Sequence, residues 1–208
     1  MATQTSVDRI RHQYPQLFNL TTDPVERLAS GNPEFDALFA GGMPLGHLYE
    51  VTGGLSCGKT ALLFFLLARL PVAMPAAYID ASGTFFPSAA AAAGVSLERL
   101  LVIPVSSETE AVLAAGRIQR STAARVVVCD LTGRRRTLST TLLHRLRIGT
   151  LKYHRLMIFL TDRSAHVLPP SMMSAQLTVT RRNRSTVVVT VTKSRITAEG
   201  KRAEVRLP

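Results

Sequence analysis

Tryptophan is absent from this chain of 208 residues, and aromatic residues make up only 6% of it. The basic clusters Arg134-Arg135-Arg136 and Arg181-Arg182 with Arg184 have no aromatic residues interleaved with them. That argues against nucleic-acid binding of the base-stacking kind, which needs aromatic faces. Cysteine is scarce: Cys57 and Cys129 are the whole supply. Two cysteines cannot staple a disulfide scaffold, so a reduced, cytoplasmic chain is expected. Long hydrophobic runs are missing. The longest, from Ala61 to Ala68, falls far short of the roughly 20 residues that cross a bilayer, so no membrane association is expected. The first residues lack the charged-then-apolar order of an export signal. No internal repeat or low-complexity linker is present. Acidic residues nearly vanish from the last third. Residues 131–208 carry 16 Lys+Arg against 3 Asp+Glu, whereas residues 1–130 carry 9 against 11. The net charge of +11 therefore belongs to the C-terminal third. Such asymmetry points to nucleic acid or an acidic partner; the plainer reading is arginine on solvated faces.

What is present is a core and one loop. Hydrophobic residues are 46% of the chain, enough for a globular domain. The loop is Gly53-Gly54-Leu55-Ser56-Cys57-Gly58-Lys59-Thr60, which satisfies G-x-x-x-x-G-K-[ST]. Glycines let backbone N–H groups turn inward on a phosphate, the lysine adds a point charge, and the final hydroxyl ligates Mg²⁺. The pattern occurs by chance, so its context decides. A short extended segment (Leu48 to Thr52) leads in, and an apolar helical run (Ala61 to Leu70) leads out. That order puts phosphates at a helix N-terminus, where free N–H groups and the dipole favour anions.

The rest reads as alternating strands and helices. Residues 1–27 form an N-terminal arm in which Val7, Ile10, Arg11 and Tyr14 space like a short amphipathic helix; it is either loosely attached or docks on a partner. Residues 28–208 form the core domain. Asn32 and Pro33 are an N-cap and a first helical residue for a short helix ending at Gly41-Gly42. Strands are expected at Ala76 to Asp80, Leu100 to Val105, Arg125 to Cys129 and Leu156 to Leu160. Ser107-x-x-Glu110 is a capping box for a helix to about Arg120. Thr137 to Tyr153 is helical, with Leu138, Leu142, Leu146 and Leu151 inward. Three strands without helices then follow: Leu177 to Thr180, Thr186 to Thr192 and Ala203 to Leu207. The fold class is α/β: a three-layer, mostly parallel sheet with C-terminal antiparallel strands.

Asp130 ends an apolar strand some 70 residues after the loop, as an acid that holds Mg²⁺, usually through water, would. Thr60 and Asp130 are thus the expected Mg²⁺ residues. Asp80 either assists the metal or caps its own turn. Cys57 and Cys129, placed at the ends of strands expected to be adjacent, are a redox pair or, as is far commoner, inert buried thiols.

The stretch Ala29-Ser30-Gly31 through Gly46 into the loop, then Tyr78-Ile79-Asp80-Ala81-Ser82 to Pro87, then Gly94 to Leu101 and Asp130, resembles the ATPase core of RecA/RadA recombinases. That resemblance covers roughly Leu28 to Val205 and implies a RecA-like P-loop core that binds ATP with Mg²⁺. Three departures stand out. Ser82 occupies the position of the glutamate that activates water in the family, and a serine is no base at neutral pH. Leu160-Thr161-Asp162-Arg163 lacks the family's phosphate-sensing glutamine. The two DNA-loop positions shrink to about 131–137 and 162–172. Lys193 and Arg195 match a basic triplet that reaches a neighbour's nucleotide across a filament. A short chain with these losses resembles the ImuA family, RecA-like accessory factors of SOS-induced mutagenic translesion DNA synthesis. The resemblance implies weak or absent hydrolysis, with an ImuB-type polymerase-like protein, an error-prone DNA polymerase and RecA as partners. Single-stranded DNA contact through Arg134, Arg135, Arg136, Arg181, Arg182 and Arg184, and self-association, go with it. Two other functions stay open: a DNA-dependent ATPase, that is, a minimal recombinase paralogue, and a RecA-like inhibitor of a partner, of the cell-division-inhibitor type.

Overall fold

A computed structural model describes residues 25–135, 137–162 and 168–207. The expected N-terminal arm lies almost wholly outside the described residues. The chain is already tied to the core at Glu26, whose carboxylate pairs with Arg125 at 2.5 Å.

Eight strands make one sheet. In chain order the strands are β1 (Arg27–Leu28), β2 (Met43–Pro44), β3 (His47–Gly53), β4 (Ala76–Asp80), β5 (Leu100–Pro104), β6 (Val126–Asp130), β7 (Leu156–Asp162), β8 (Ala175–Arg181), β9 (Thr186–Ser194) and β10 (Arg202–Arg206). The first two pair as a small antiparallel ladder. The large sheet runs β10-β9-β8-β3-β7-β6-β4-β5. Strands β8, β3, β7, β6, β4 and β5 are parallel, and β8-β9-β10 are antiparallel. The helices are α1 (Pro33–Ala37), α2 (Lys59–Leu67), α3 (Pro87–Ala92), α4 (Glu108–Ile118) and α5 (Thr140–Lys152).

The sequence explains the layers. Parallel strands covered on both faces are apolar without interruption, and Val126-Val127-Val128-Cys129 in β6 is buried throughout. Alternate residues serve opposite faces. Tyr49, Tyr78, Val128 and Ile158 pack with α2, while Leu48, Ile79, Cys129 and Phe159 pack with α4 and α5. The hairpin strands instead alternate. Leu177, Val179, Val187, Val189 and Val191 point into the α2-side core, and Thr178, Thr180, Thr190 and Thr192 lie between them. The three-layer sandwich therefore thins to two layers under β8–β10.

Local signals hold at several points. The Asn32 side chain accepts from Phe35 N at 2.8 Å with Pro33 at the helix start. Ser107 Oγ accepts from Glu110 N at 3.2 Å, but the Glu110 carboxylate reaches back to Ser106 N and Oγ, one residue earlier than the box requires. Two expectations need correction. In α5 the buried positions are Leu143, Leu146, Gly149 and Thr150, and Leu151 is 61% exposed. At about 100° per residue Leu151 is five steps, or about 140°, from Leu146. Cys57 and Cys129 are not on adjacent strands, because β7 runs between β3 and β6. They sit in separate core clusters on opposite sides of the sheet, and burial drives the Cys129 thiol pKa upward, so both read as inert packing residues. No helix among the described residues is long and apolar enough to cross a membrane.

Candidate functional site: the phosphate loop and its acids

Strand β3 lies inside the sheet, and its C-terminal end carries the loop. Ligands in open α/β sheets gather at such carboxyl ends. Glycine is needed here for space. A Cβ on Gly53 would stand 2.4 Å from Cys57 Sγ and 2.7 Å from Val179 O, and one on Gly58 would meet Val187 Cγ1 at 2.7 Å. Gly58 also adopts φ +93 as the N-cap of α2, with no side-chain cap bond. The first turn of a buried helix is thus left without a side-chain acceptor, which suits an anion. The loop walls an open cleft of about 470 Å³ lined by Leu55 to Ala61, Thr132 and Arg181. A second, largely apolar recess of about 490 Å³ shares Thr60 and Ala61 and is completed by Phe64, Ala89, Ala92 and Ala93. Thr132 Oγ1 is buried without a hydrogen-bond partner among the described residues. A buried polar atom of this kind is costly unless something supplies a partner. The cradle, the uncapped helix start and this orphaned hydroxyl together fit a phosphate-bearing ligand.

Three acids end parallel strands on the loop's side of the sheet, each with different duties. Asp162 closes β7 opposite Gly53 in the parallel ladder. Its Oδ1 accepts from Lys59 Nζ at 2.8 Å and its Oδ2 from Gly133 N at 2.8 Å. Burial raises its pKa, but the Lys59 and Gly133 hydrogen bonds and the Lys59 and Arg135 charges outweigh that and lower it. Lys59 also donates to Gly53 O at 3.3 Å. Asp130 is 1% exposed. It accepts from Tyr78 OH at 2.5 Å and Thr132 N at 2.9 Å, and burial with the Asp130 charge pushes the Tyr78 hydroxyl pKa up. Asp80 caps its own turn: Oδ1 accepts from Ser82 Oγ at 2.7 Å and Gly83 N at 2.8 Å, and Oδ2 from Phe85 N at 3.0 Å. Of the two roles open for Asp80, the geometry assigns the cap. Ser82 is held by the same network, with its hydroxyl 2.6 Å from Thr84 Oγ1.

The basic residues scatter. Arg181 reaches the phosphate loop, donating from Nε to Ser56 O at 2.9 Å and from NH1 to Arg184 O at 2.9 Å. Arg134 turns away from solvent and donates from Nε to Ala81 O at 2.7 Å. Arg135 and Arg184 are exposed. Arg182 pairs with Glu204 on the surface, and Arg136 lies outside the described residues. Lys193 and Arg195 stand at the far end of β9, beside the start of β8, and Arg195 donates to Ser171 O. Antiparallel pairing puts them at the opposite end of the sheet from the chain's own loop.

Sequence reasoning missed Asp162, Thr132 and Tyr78 as parts of the site. It also missed Glu50, buried at 3% exposure and satisfied by Thr161 Oγ1 at 2.7 Å and Gln176 Nε2 at 2.8 Å. A carboxylate inside the apolar run Leu48 to Val51 is a signal that partners must exist.

A phosphate cradle between a central strand and a buried helix, with acids closing neighbouring parallel strands, defines an α/β protein of the P-loop class. Residues 6–134 match the model of the RecA N-terminal domain, and the chain belongs to that family. It is 34% identical over 116 residues to protein RecA of Thermosynechococcus vestitus, covering 55% of this chain and 33% of that protein. Against protein RecA of Arthrospira platensis it is 36% identical over 107 residues, covering 51% and 29%. The match to protein RecA of Crocosphaera subtropica is 35% over 107 residues, covering 51% and 31%. The chain thus spans about a third of the length of the curated relatives it matches.

Proposed function

We propose that this chain is a RecA-like accessory protein that binds ATP with Mg²⁺ but turns it over poorly. In that reading it serves SOS-induced mutagenic translesion synthesis in the cytoplasm, as ImuA-type proteins do, bridging an ImuB-type polymerase-like protein, an error-prone polymerase and RecA. Gly53 to Thr60 hold the phosphates, with Thr60 and Asp130 as the Mg²⁺ residues, and the recess beside Phe64 and Ala89 takes the base. Bound Mg²⁺ supplies charge neutralisation at the phosphates. One observation carries the reading against turnover: at the position of the family's glutamate the Ser82 hydroxyl is committed to Asp80 and Thr84. The carboxylate beside it, Asp80, is held by the N–H groups of Gly83 and Phe85 with a lowered pKa, and so is a weak base. Further support comes from Asp162, whose lowered pKa and bond to Lys59 also leave it poorly suited to accept a proton. Lys193 and Arg195, remote from the chain's own loop, suit contact with a neighbouring copy or partner. Arg135 and Arg184 are exposed and suit phosphate contact on single-stranded DNA.

Equilibrium titration with a fluorescent ATP analogue is expected to give a Mg²⁺-dependent signal that Lys59→Ala removes. Phosphate release is expected to stay near background with and without single-stranded DNA. A clear DNA-stimulated rate replaces this reading with a DNA-dependent ATPase. Co-purification of the tagged chain from damage-treated cells tests the polymerase partners, and recovery of a cell-division protein in their place favours the inhibitor reading.

A further inference from the structure

We propose that Asp162 is an internal substitute for phosphate that sets nucleotide affinity and links nucleotide occupancy to the loop after β6. The proposal rests on the nucleotide-binding reading above. Lys59 is the cation of the phosphate loop, and its side chain is almost fully buried. A buried ammonium needs an anionic partner, and here Asp162 Oδ1 provides it at 2.8 Å. The register of the sheet brings the two within reach, because Asp162 is the ladder partner of Gly53, the first residue of the loop. A phosphate that engages Lys59 therefore competes with a carboxylate already in place. The two anions also repel one another, so a triphosphate suffers more than a diphosphate from an Asp162 left behind.

The other carboxylate oxygen gives the contact a second consequence. Asp162 Oδ2 accepts from Gly133 N at 2.8 Å, and Gly133 follows Thr132, a lining residue of the same cleft whose buried hydroxyl has no partner among the described residues. Arg134 then clips to Ala81 O, and Arg135 faces solvent. One side chain thus joins Lys59 to the loop whose sequence carries Arg134, Arg135 and Arg136. When phosphate takes Lys59, Asp162 loses its counter-ion and its reason to stay against Gly133, while Thr132 Oγ1 gains a ligand acceptor within the cleft. Asp162 is a positioning residue in this scheme; it acts through Lys59 and Gly133 and does not itself react.

Two measurements on the full-length protein test the link. Asp162→Asn keeps the shape and removes the charge. It is expected to bind ATP about tenfold more tightly and ADP only a few-fold more tightly, the size of one charge-assisted contact. Amide exchange at Gly133, read by NMR, is expected to speed up about tenfold in wild type on adding ATP with Mg²⁺. In Asp162→Ala the same amide is expected to exchange fast with no nucleotide present. Unchanged ATP and ADP affinities in Asp162→Asn overturn the proposal. So does a Gly133 amide that stays protected in Asp162→Ala. A wild-type chain that binds no nucleotide defeats the functional reading instead, and the nucleotide-free Asp162→Ala exchange still judges whether the carboxylate holds the loop.

Discussion

Two turns at the same end of the sheet, one after β3 and one after β4, are both stabilised by hydrogen bonds yet leave opposite things free. In the turn at residues 53–60, glycine conformation and a helix start without a side-chain cap leave backbone donors for a ligand. In the turn at residues 80–85, the N–H groups of Gly83, Thr84 and Phe85 are all taken by the Asp80 carboxylate. The first turn offers donors; the second has spent them on itself. Holding a phosphate depends on backbone geometry that also joins β3 to α2, so losing it damages the fold. Activating water depends on a single side chain, and in the proposed reading Ser82 stands in its place within an intact turn. On the reading proposed above, a RecA-family core can keep a nucleotide cradle while lacking the glutamate that uses it.

The largest expected effect breaks the first turn. Lys59→Ala removes the only cation buried in the loop and leaves Asp162 without its ion pair. Truncating one partner of a desolvated charge pair costs about 3 kcal/mol, more than a hundredfold in affinity. Titration with a fluorescent ATP analogue checks it, with thermal unfolding run in parallel to show that the fold survives. An affinity within about threefold of wild type would mean that the loop's backbone donors, and not its lysine, hold the ligand.

Next comes the second turn. Burial raises the Asp80 pKa, but the bonds from Ser82 Oγ and from the N–H groups of Phe85, Gly83 and Thr84 more than reverse this and lower it. A carboxylate with a depressed folded-state pKa contributes stability above its unfolded value, near 3.9, and loses it as pH falls through the folded value. Asp80→Asn is expected to cost about 2 kcal/mol at pH 7, from the loss of a charged acceptor. The cost should shrink toward zero as the wild type is acidified below about pH 4. Urea unfolding of both proteins at pH 7 and at low pH measures it. A difference that persists unchanged at low pH removes the carboxylate from the account.

Much of this site was legible because its signals are local. The loop pattern, the flanking strand and helix, Asn32-Pro33 and the Thr/Val alternation of the hairpins all lie within a few residues of what they specify. What was not legible depends on parallel register between distant segments. Nothing near Asp162 in sequence says that it pairs with Gly53. The insertion of β7 between β3 and β6 separated the two cysteines that strand order alone had placed together. Leu151 was misplaced by helix phase, since leucine spacing of four and five positions cannot hold one face. The family match itself ends at residue 134, before β7 and the hairpins begin.

A smaller expected effect tests whether the lost acid alone separates the two turns. Ser82→Glu restores a carboxylate at the family position, at the loss of the Ser82 bond to Asp80. A well-placed general base is worth about a hundredfold or more. Here about tenfold in phosphate release is expected, because Asp80 keeps the turn in its own geometry. Single-turnover phosphate release with unchanged ATP affinity checks this. No gain at all would show that the turn, and not the residue, is what differs from an active site.

The smallest effects distinguish the turns through the arginine attached to each. Arg181 donates to Ser56 O in the first turn, and Arg134 donates to Ala81 O in the second. Each bond joins a turn to a neighbouring strand's loop, and each is worth about 1 kcal/mol net. If the first turn is the ligand's cradle, Arg181→Ala should weaken ATP-analogue binding roughly fivefold, because the Ser56 peptide it steadies is part of that cradle. Arg134→Ala should lower the unfolding free energy by about the same 1 kcal/mol while leaving affinity unchanged. Paired titrations and urea unfolding of the two variants separate the outcomes. The reverse pattern, with Arg134 governing affinity and Arg181 only stability, would place the ligand over the turn at residues 80–85 and invert the assignment of the two turns.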